Sequence, residues 1–139
     1  MLSAAMSAQK VYTIPFIEDY SGELAVPVVN IDGKMFIVDS GASRSVIGAG
    51  FKENYQRLGD TELKLATING ESQYEIMRRF RVSLLGTFHP FTEQSIRAIN
   101  NAYKKYKLKQ DIYGIIGSDF LRAHKAVIDY DKKTLTITI

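Results

Sequence analysis

The chain has no cysteine, which excludes disulfides, thiol catalysis and thiolate metal sites. It has no apolar run long enough to span a bilayer and no intact leader with a long apolar centre. Strong charge of either sign is missing too. With 18 Lys and Arg against 15 Asp and Glu, the formal charge is +3, too small to demand a nucleic acid as partner. Several catalytic signatures are absent. His89 and His124 have no partner at the HExxH spacing, Ser40, Ser43 and Ser45 sit in no GxSxG elbow, and Gly48 and Gly50 belong to no GxxxxGK[ST] loop. The two histidines therefore read as surface or capping residues. What is left is 139 residues, 45% of them hydrophobic, enough for one core in one domain. The expected protein is soluble, either cytoplasmic or exported after removal of a leader, with no membrane span and no nucleic-acid partner. Residues 1–10 read as a flexible tail or leader remnant.

Most of the chain is patterned for strands. Residues 11–17 and 24–31 alternate or run apolar with β-branched side chains, and Asp32-Gly33 supplies a two-residue hairpin turn into residues 34–38. Leu63, Leu65, Thr67 and Ile68 lead to Asn69-Gly70, the strongest hairpin signal present, and residues 73–77 return. Residues 78–85 read as a further strand. Residues 126–130 and 134–139 read as a hairpin closed by Asp131, Lys132 and Lys133. One segment, 93–109, has helical spacing. Ile96, Ile99, Tyr103 and Tyr106 fall near one face and Arg97, Lys104, Lys105, Lys107 and Lys109 on the other, as in an amphipathic helix packed on a sheet.

The chemistry concentrates in Phe36 to Ser43. Phe36, Ile37 and Val38 read as a buried strand, so Asp39 emerges at the edge of a core into a Ser40-Gly41-Ala42 turn. Gly41, lacking a side chain, lets the backbone turn tightly and bring its amides to the carboxylate. Such a tripeptide is also ordinary turn and cap chemistry. A second block shifts the balance. Ile115-Ile116-Gly117-Ser118-Asp119-Phe120-Leu121 is an apolar pair, a glycine and a helix start, with Ser118 or Asp119 as the expected N-cap.

These two blocks, in this order, resemble the retropepsin-like aspartic peptidases, the single-lobe relatives of pepsin that include retroviral proteases. The resemblance begins near Leu24 and runs to the C-terminal GIIGSDFLRAHKAVIDYDKKTLTI. It implies a mainly β domain over residues 11–139 with one or two short helices, folded as the closed β-barrel of acid proteases. It implies that Asp39 is catalytic and that Ser40 and Gly41 brace it, Ser40 by hydrogen bonding across a dimer. It makes the Asn69-Gly70 hairpin a flap, with Thr67, Ile68, Asn69, Gly70 and Glu71 contacting substrate alongside Ala42 and Ile116. No metal or organic cofactor is implied. Ser40 stands for the commoner Thr, Ser43 where an acidic residue is frequent, and Asp119 where retroviral enzymes often carry Arg.

Aspartic chemistry needs two close carboxylates that share a proton, and the chain contains one D-[ST]-G turn. The resemblance therefore implies a homodimer acting on a polypeptide substrate, with Asp39 of each copy meeting on the twofold axis. The alternative is a module of the same architecture that binds peptides or dimerises with little turnover.

Overall fold

Short strands with apolar residues on both faces must be covered from two sides, and this chain supplies two sheets and a helix to do it. The computed structural model describes residues 9–17, 26–48, 55–66, 72–106 and 110–139. Among these, β1 (Val11–Pro15), β9 (Val127–Asp129) and β10 (Thr134–Thr138) form an antiparallel sheet in the order β1-β10-β9. The larger sheet has the order β2-β3-β8-β4-β7-β6-β5. Its strands are β2 (Val28–Ile31), β3 (Lys34–Val38), β4 (Val46–Gly48), β5 (Tyr55–Ala66), β6 (Ser72–Leu84), β7 (Thr87–Gln94) and β8 (Ile112–Ile116). Helix α1 (Arg97–Tyr103) runs into a 3-10 turn over Lys104–Tyr106, and helix α2 (Ser118–Ala123) follows β8.

The molecule is mainly β, as the sequence pattern requires. The closed barrel is not found. Among the described residues β2 and β5 end the larger sheet without pairing to each other. The two edges are mismatched, with four residues in β2 against twelve in β5. A side chain clasps the curled sheet instead. Asp32, in the β2–β3 turn, accepts the Leu85 N–H of the β6–β7 turn at 2.8 Å.

Both turns hold two residues at positive φ: Asp32 (53°) with Gly33 (81°), and Leu85 (54°) with Gly86 (84°). That backbone matches the right-handed twist of the flanking strands. The first turn falls where Asp-Gly predicts it. The second is unexpected because leucine is a poor residue for positive φ.

Three further expectations change. Residues 73–77 and 78–84 belong to one strand, β6, and Leu85 falls in the turn that follows it. Residues 87–94 form β7, antiparallel to β6 from Leu84↔Thr87 to Arg79↔Thr92, with His89 and Phe91 inward and Phe88 and Pro90 outward. The helix therefore starts after that strand and ends at Tyr103. Lys107 and Lys109 lie outside the described residues, as do residues 1–8, whereas Lys10 already pairs with Ile139 through two 2.8 Å backbone bonds.

Two apolar clusters hold the layers. One lies between the sheets, where Val29, Phe36, Phe91, Ile116, Leu135 and Ile137 are fully buried. The other, on the opposite face of β3 and β8, joins Val28, Met35, Ile37 and Ile112 to Ile96, with Ile99 and Tyr103 of α1 packed against them. Each such side chain contributes about 1.5–3 kcal/mol on burial. Strand β3 is buried on both faces, which is why Met35 to Val38 read as one unbroken apolar run.

Candidate functional site

Strands β3 and β8 run parallel with Val38 opposite Ile116, so both chains leave the sheet at the same edge and Asp39 emerges beside Gly117. The Asp39 N–H donates to the Ile116 carbonyl at 2.9 Å. The turn then closes on itself. Gly41 N–H donates to Asp39 Oδ1 at 2.9 Å, and Ala42 N–H donates to the Asp39 carbonyl at 3.1 Å. Asp39 is half-buried, while Ser40 and Gly41 are exposed. A Cβ on Gly41 would stand 3.2 Å from Asp39 Oδ1, closer than such contacts are normally found.

The β8–α2 segment locks this turn from behind. Ser118 N–H donates to the Ala42 carbonyl at 2.7 Å. Gly117 N–H donates to Ser45 Oγ at 2.9 Å, and the Ser45 hydroxyl donates to Asp119 Oδ1 at 2.7 Å. Asp119 Oδ2 accepts the Ser45 N–H at 3.0 Å, so one carboxylate grips one residue at two points. Gly117 is required by space: a Cβ there would lie 2.7 Å from the Arg44 carbonyl and 2.8 Å from that of Ala42. The expected caps are corrected. Gly117 itself occupies the N-cap of α2 and has no side chain to cap with, while Asp119 Oδ1 accepts the Phe120 N–H of the first turn at 2.8 Å as well as the Ser45 hydroxyl.

The residues expected at the site divide into three groups. Asp39, Ser40, Gly41 and Ala42 are brought together in one turn. Ile116 contributes its carbonyl, but its side chain is 0% exposed within the core, so it packs behind the turn and does not line a surface. Val46 and Ile47 are likewise buried. Thr67, Ile68, Asn69, Gly70 and Glu71 lie outside the described residues. The ladder leading to them is described as far as Ala66 opposite Ser72.

Other contacts at the site gave no signal in the sequence. Ser45 and Asp119 are 74 positions apart, and only the docking of β8 joins them. Tyr103 of α1 lies within electrostatic reach of Asp39. Its phenol is pushed above its ordinary value of 10.0 by burial first, then by Tyr106 and by the Asp39 carboxylate. The reading of His89 as a surface residue is corrected. It is 4% exposed, its Nε2 lies 2.8 Å from Thr87 Oγ1, and its ring meets that of His124 at 4.8 Å. Among the described residues no group of three His, Cys, Asp or Glu gathers as metal ligands would.

This arrangement fixes a carboxylate at the end of a buried strand, oriented by one amide and open to solvent on the Ser40 side. Comparison with protein-family models, with curated proteins and with solved structures finds no match for this chain.

Proposed function

We propose that the chain is an aspartic endopeptidase of the retropepsin type, with the acid-protease fold, that hydrolyses peptide bonds as a homodimer. The observation that carries this reading is the Asp39 turn, whose carboxylate is held by the Gly41 amide and whose backbone is locked by the Gly117–Asp119 segment. Such rigidity is what a proton-sharing pair needs, since misplacement by an ångström costs catalysis heavily. One chain carries one such turn, so the second carboxylate comes from Asp39 of another copy. At a separation of about 3 Å the two cannot both ionise, and they titrate as a pair. The ionised member takes a proton from the attacking water, and the protonated member hydrogen-bonds the developing oxyanion. Exposed Ser40 places a hydroxyl where it meets the partner's turn. The β5–β6 hairpin supplies main-chain groups over the peptide.

The test is cleavage of a mixed peptide library from acidic to neutral pH. The reading expects turnover that disappears in Asp39→Asn and is blocked by a statine-type transition-state mimic. Peptide binding without cleavage at any pH or protein concentration would overturn it and leave a binding module of the same architecture.

A further inference from the structure

Beside the acidic turn, on the Ser40 side, lies a cavity of about 400 Å³. Its walls divide by chemistry: the hydroxyls of Ser40 and Ser118, the cations of Arg122 and Lys125, and an apolar floor that includes Leu121 and Ile128. No carboxylate lines it. Asp119, on the same helix, is turned to Ser45, and among the described residues neither Arg122 nor Lys125 enters an ion pair. Two cations beside an apolar surface, with the Ser118 hydroxyl among them, match a carboxylate carried on an apolar segment.

The backbone gives a second reason. Lys125 closes α2 with φ +47°, while its N–H donates to the Arg122 carbonyl at 3.3 Å and the Ala126 N–H donates to that of Leu121 at 2.9 Å. This is the helix-ending position that glycine fills without steric cost, and an L-residue there costs about 1 kcal/mol. The lysine at this position is one of the residues that line the cavity.

We infer that the cavity binds an acidic side chain of a polypeptide, with an apolar neighbour of that residue resting on Leu121 and Ile128. A second copy of this chain is the poorer occupant, because it carries a net +3 and presents the same two cations. The inference deepens the aspartic-peptidase reading and rests on it for calling the bound segment substrate. The docking itself needs only the cavity. It makes Arg122 and Lys125 the residues that select acidic segments and align them past Asp39.

The test uses the full chain with Asp39→Asn, so that binding is read without turnover. Fluorescence anisotropy compares two labelled apolar peptides that differ only in one Glu or Gln, each with a free and an amidated C-terminus. The Glu peptide is expected to bind about tenfold more tightly at low salt, the scale of one charge-assisted hydrogen bond, whichever C-terminus it carries. Lys125→Gly is expected to remove most of that preference while raising the thermal midpoint, which separates lost charge from lost folding. Arg122→Glu is expected to reverse the preference.

Equal binding of the two peptides, a preference unchanged by both substitutions, or one that vanishes on amidation overturns the inference. So does a dimer that Arg122→Ser weakens while no Glu preference exists, since the surface would then belong to a second copy. A Glu preference that persists in a protein whose Asp39 form cleaves nothing upholds the docking site and refutes the peptidase reading.

Discussion

At the scale of single residues, the Ser45–Asp119 bond pair is the most consequential contact outside Asp39 itself. Ser45 is 1% exposed, and Asp119 accepts both its N–H and its hydroxyl. Asp119→Ala strips the Ser45 N–H, the Ser45 hydroxyl and the Phe120 N–H of their acceptor, which costs about 1–3 kcal/mol for each donor left unsatisfied. The expected result is a lower urea midpoint with an unchanged slope, together with cleavage reduced more than folding, because the Asp39 turn loses its rear support. Asp39 was legible in the sequence because its signal is local, an acidic residue between an apolar run and a glycine. Gly41, whose amide holds the carboxylate, was legible with it, whereas the contact that locks the turn from behind was not. Ser45 and Asp119 acquire meaning only once β4 and β8 lie side by side, and no local pattern records a hydrogen bond between positions 74 apart.

At the scale of elements, the β-hairpins were legible where a turn residue marks them and obscure where none does. Asp32-Gly33 announces its turn, whereas Leu85-Gly86 adopts the same positive φ values with a residue that resists them. The strand β7 was hidden because its two-residue alternation, with His89 and Phe91 inward, runs without a break into the helical spacing of Ile96, Ile99 and Tyr103. The hairpin of β9 and β10 offers a direct test, since Lys133 is exposed at φ 56°. Lys133→Gly relieves that strain and is expected to stabilise the protein by about 0.5–1 kcal/mol, read as a higher thermal midpoint.

The packing of β7 against α2 sets a pH dependence. Burial lowers the His89 pKa from its ordinary 6.5, and the His124 ring against it acts in the same direction, while the Leu84 carbonyl opposes them weakly. Because the folded-state value lies below that of the unfolded chain, the unfolded chain binds more protons between the two. Stability is therefore complete above about pH 6.5 and is lost as the pH falls from there through the lowered folded value. Urea midpoints at pH 7.5 and pH 5.5 are expected to differ in that sense, and His89→Gln is expected to shrink the difference.

At the scale of the whole molecule, the architecture was legible in class and less so in closure. The β content follows from alternation along the chain, but whether the outer strands meet depends on relative lengths and twist, which composition does not encode. Among the described residues the larger sheet curls until Asp32 reaches Leu85, and β2 and β5 do not pair. The proposed chemistry is a property of two molecules, so the rate per chain is expected to rise with protein concentration at fixed excess substrate and to level off once dimers dominate. A rate per chain that stays flat down to concentrations where sedimentation finds monomers contradicts the shared-carboxylate mechanism.

The parallel pairing of β3 with β8 also bears on timing. Met35 to Val38 are made early in synthesis, yet their partners Ile112 to Ile116 emerge only after the long β5–β7 meander. Such distant pairing closes slowly, because the loop entropy must be met before the contact stabilises anything. A nascent or partly unfolded chain thus carries Asp39 without the Ile116 carbonyl and the Ser118 amide that anchor its turn. Under the proposed peptidase reading, cleavage is expected to appear last in refolding, after most strand signal has returned, so that a half-made molecule would be harmless to itself and its neighbours.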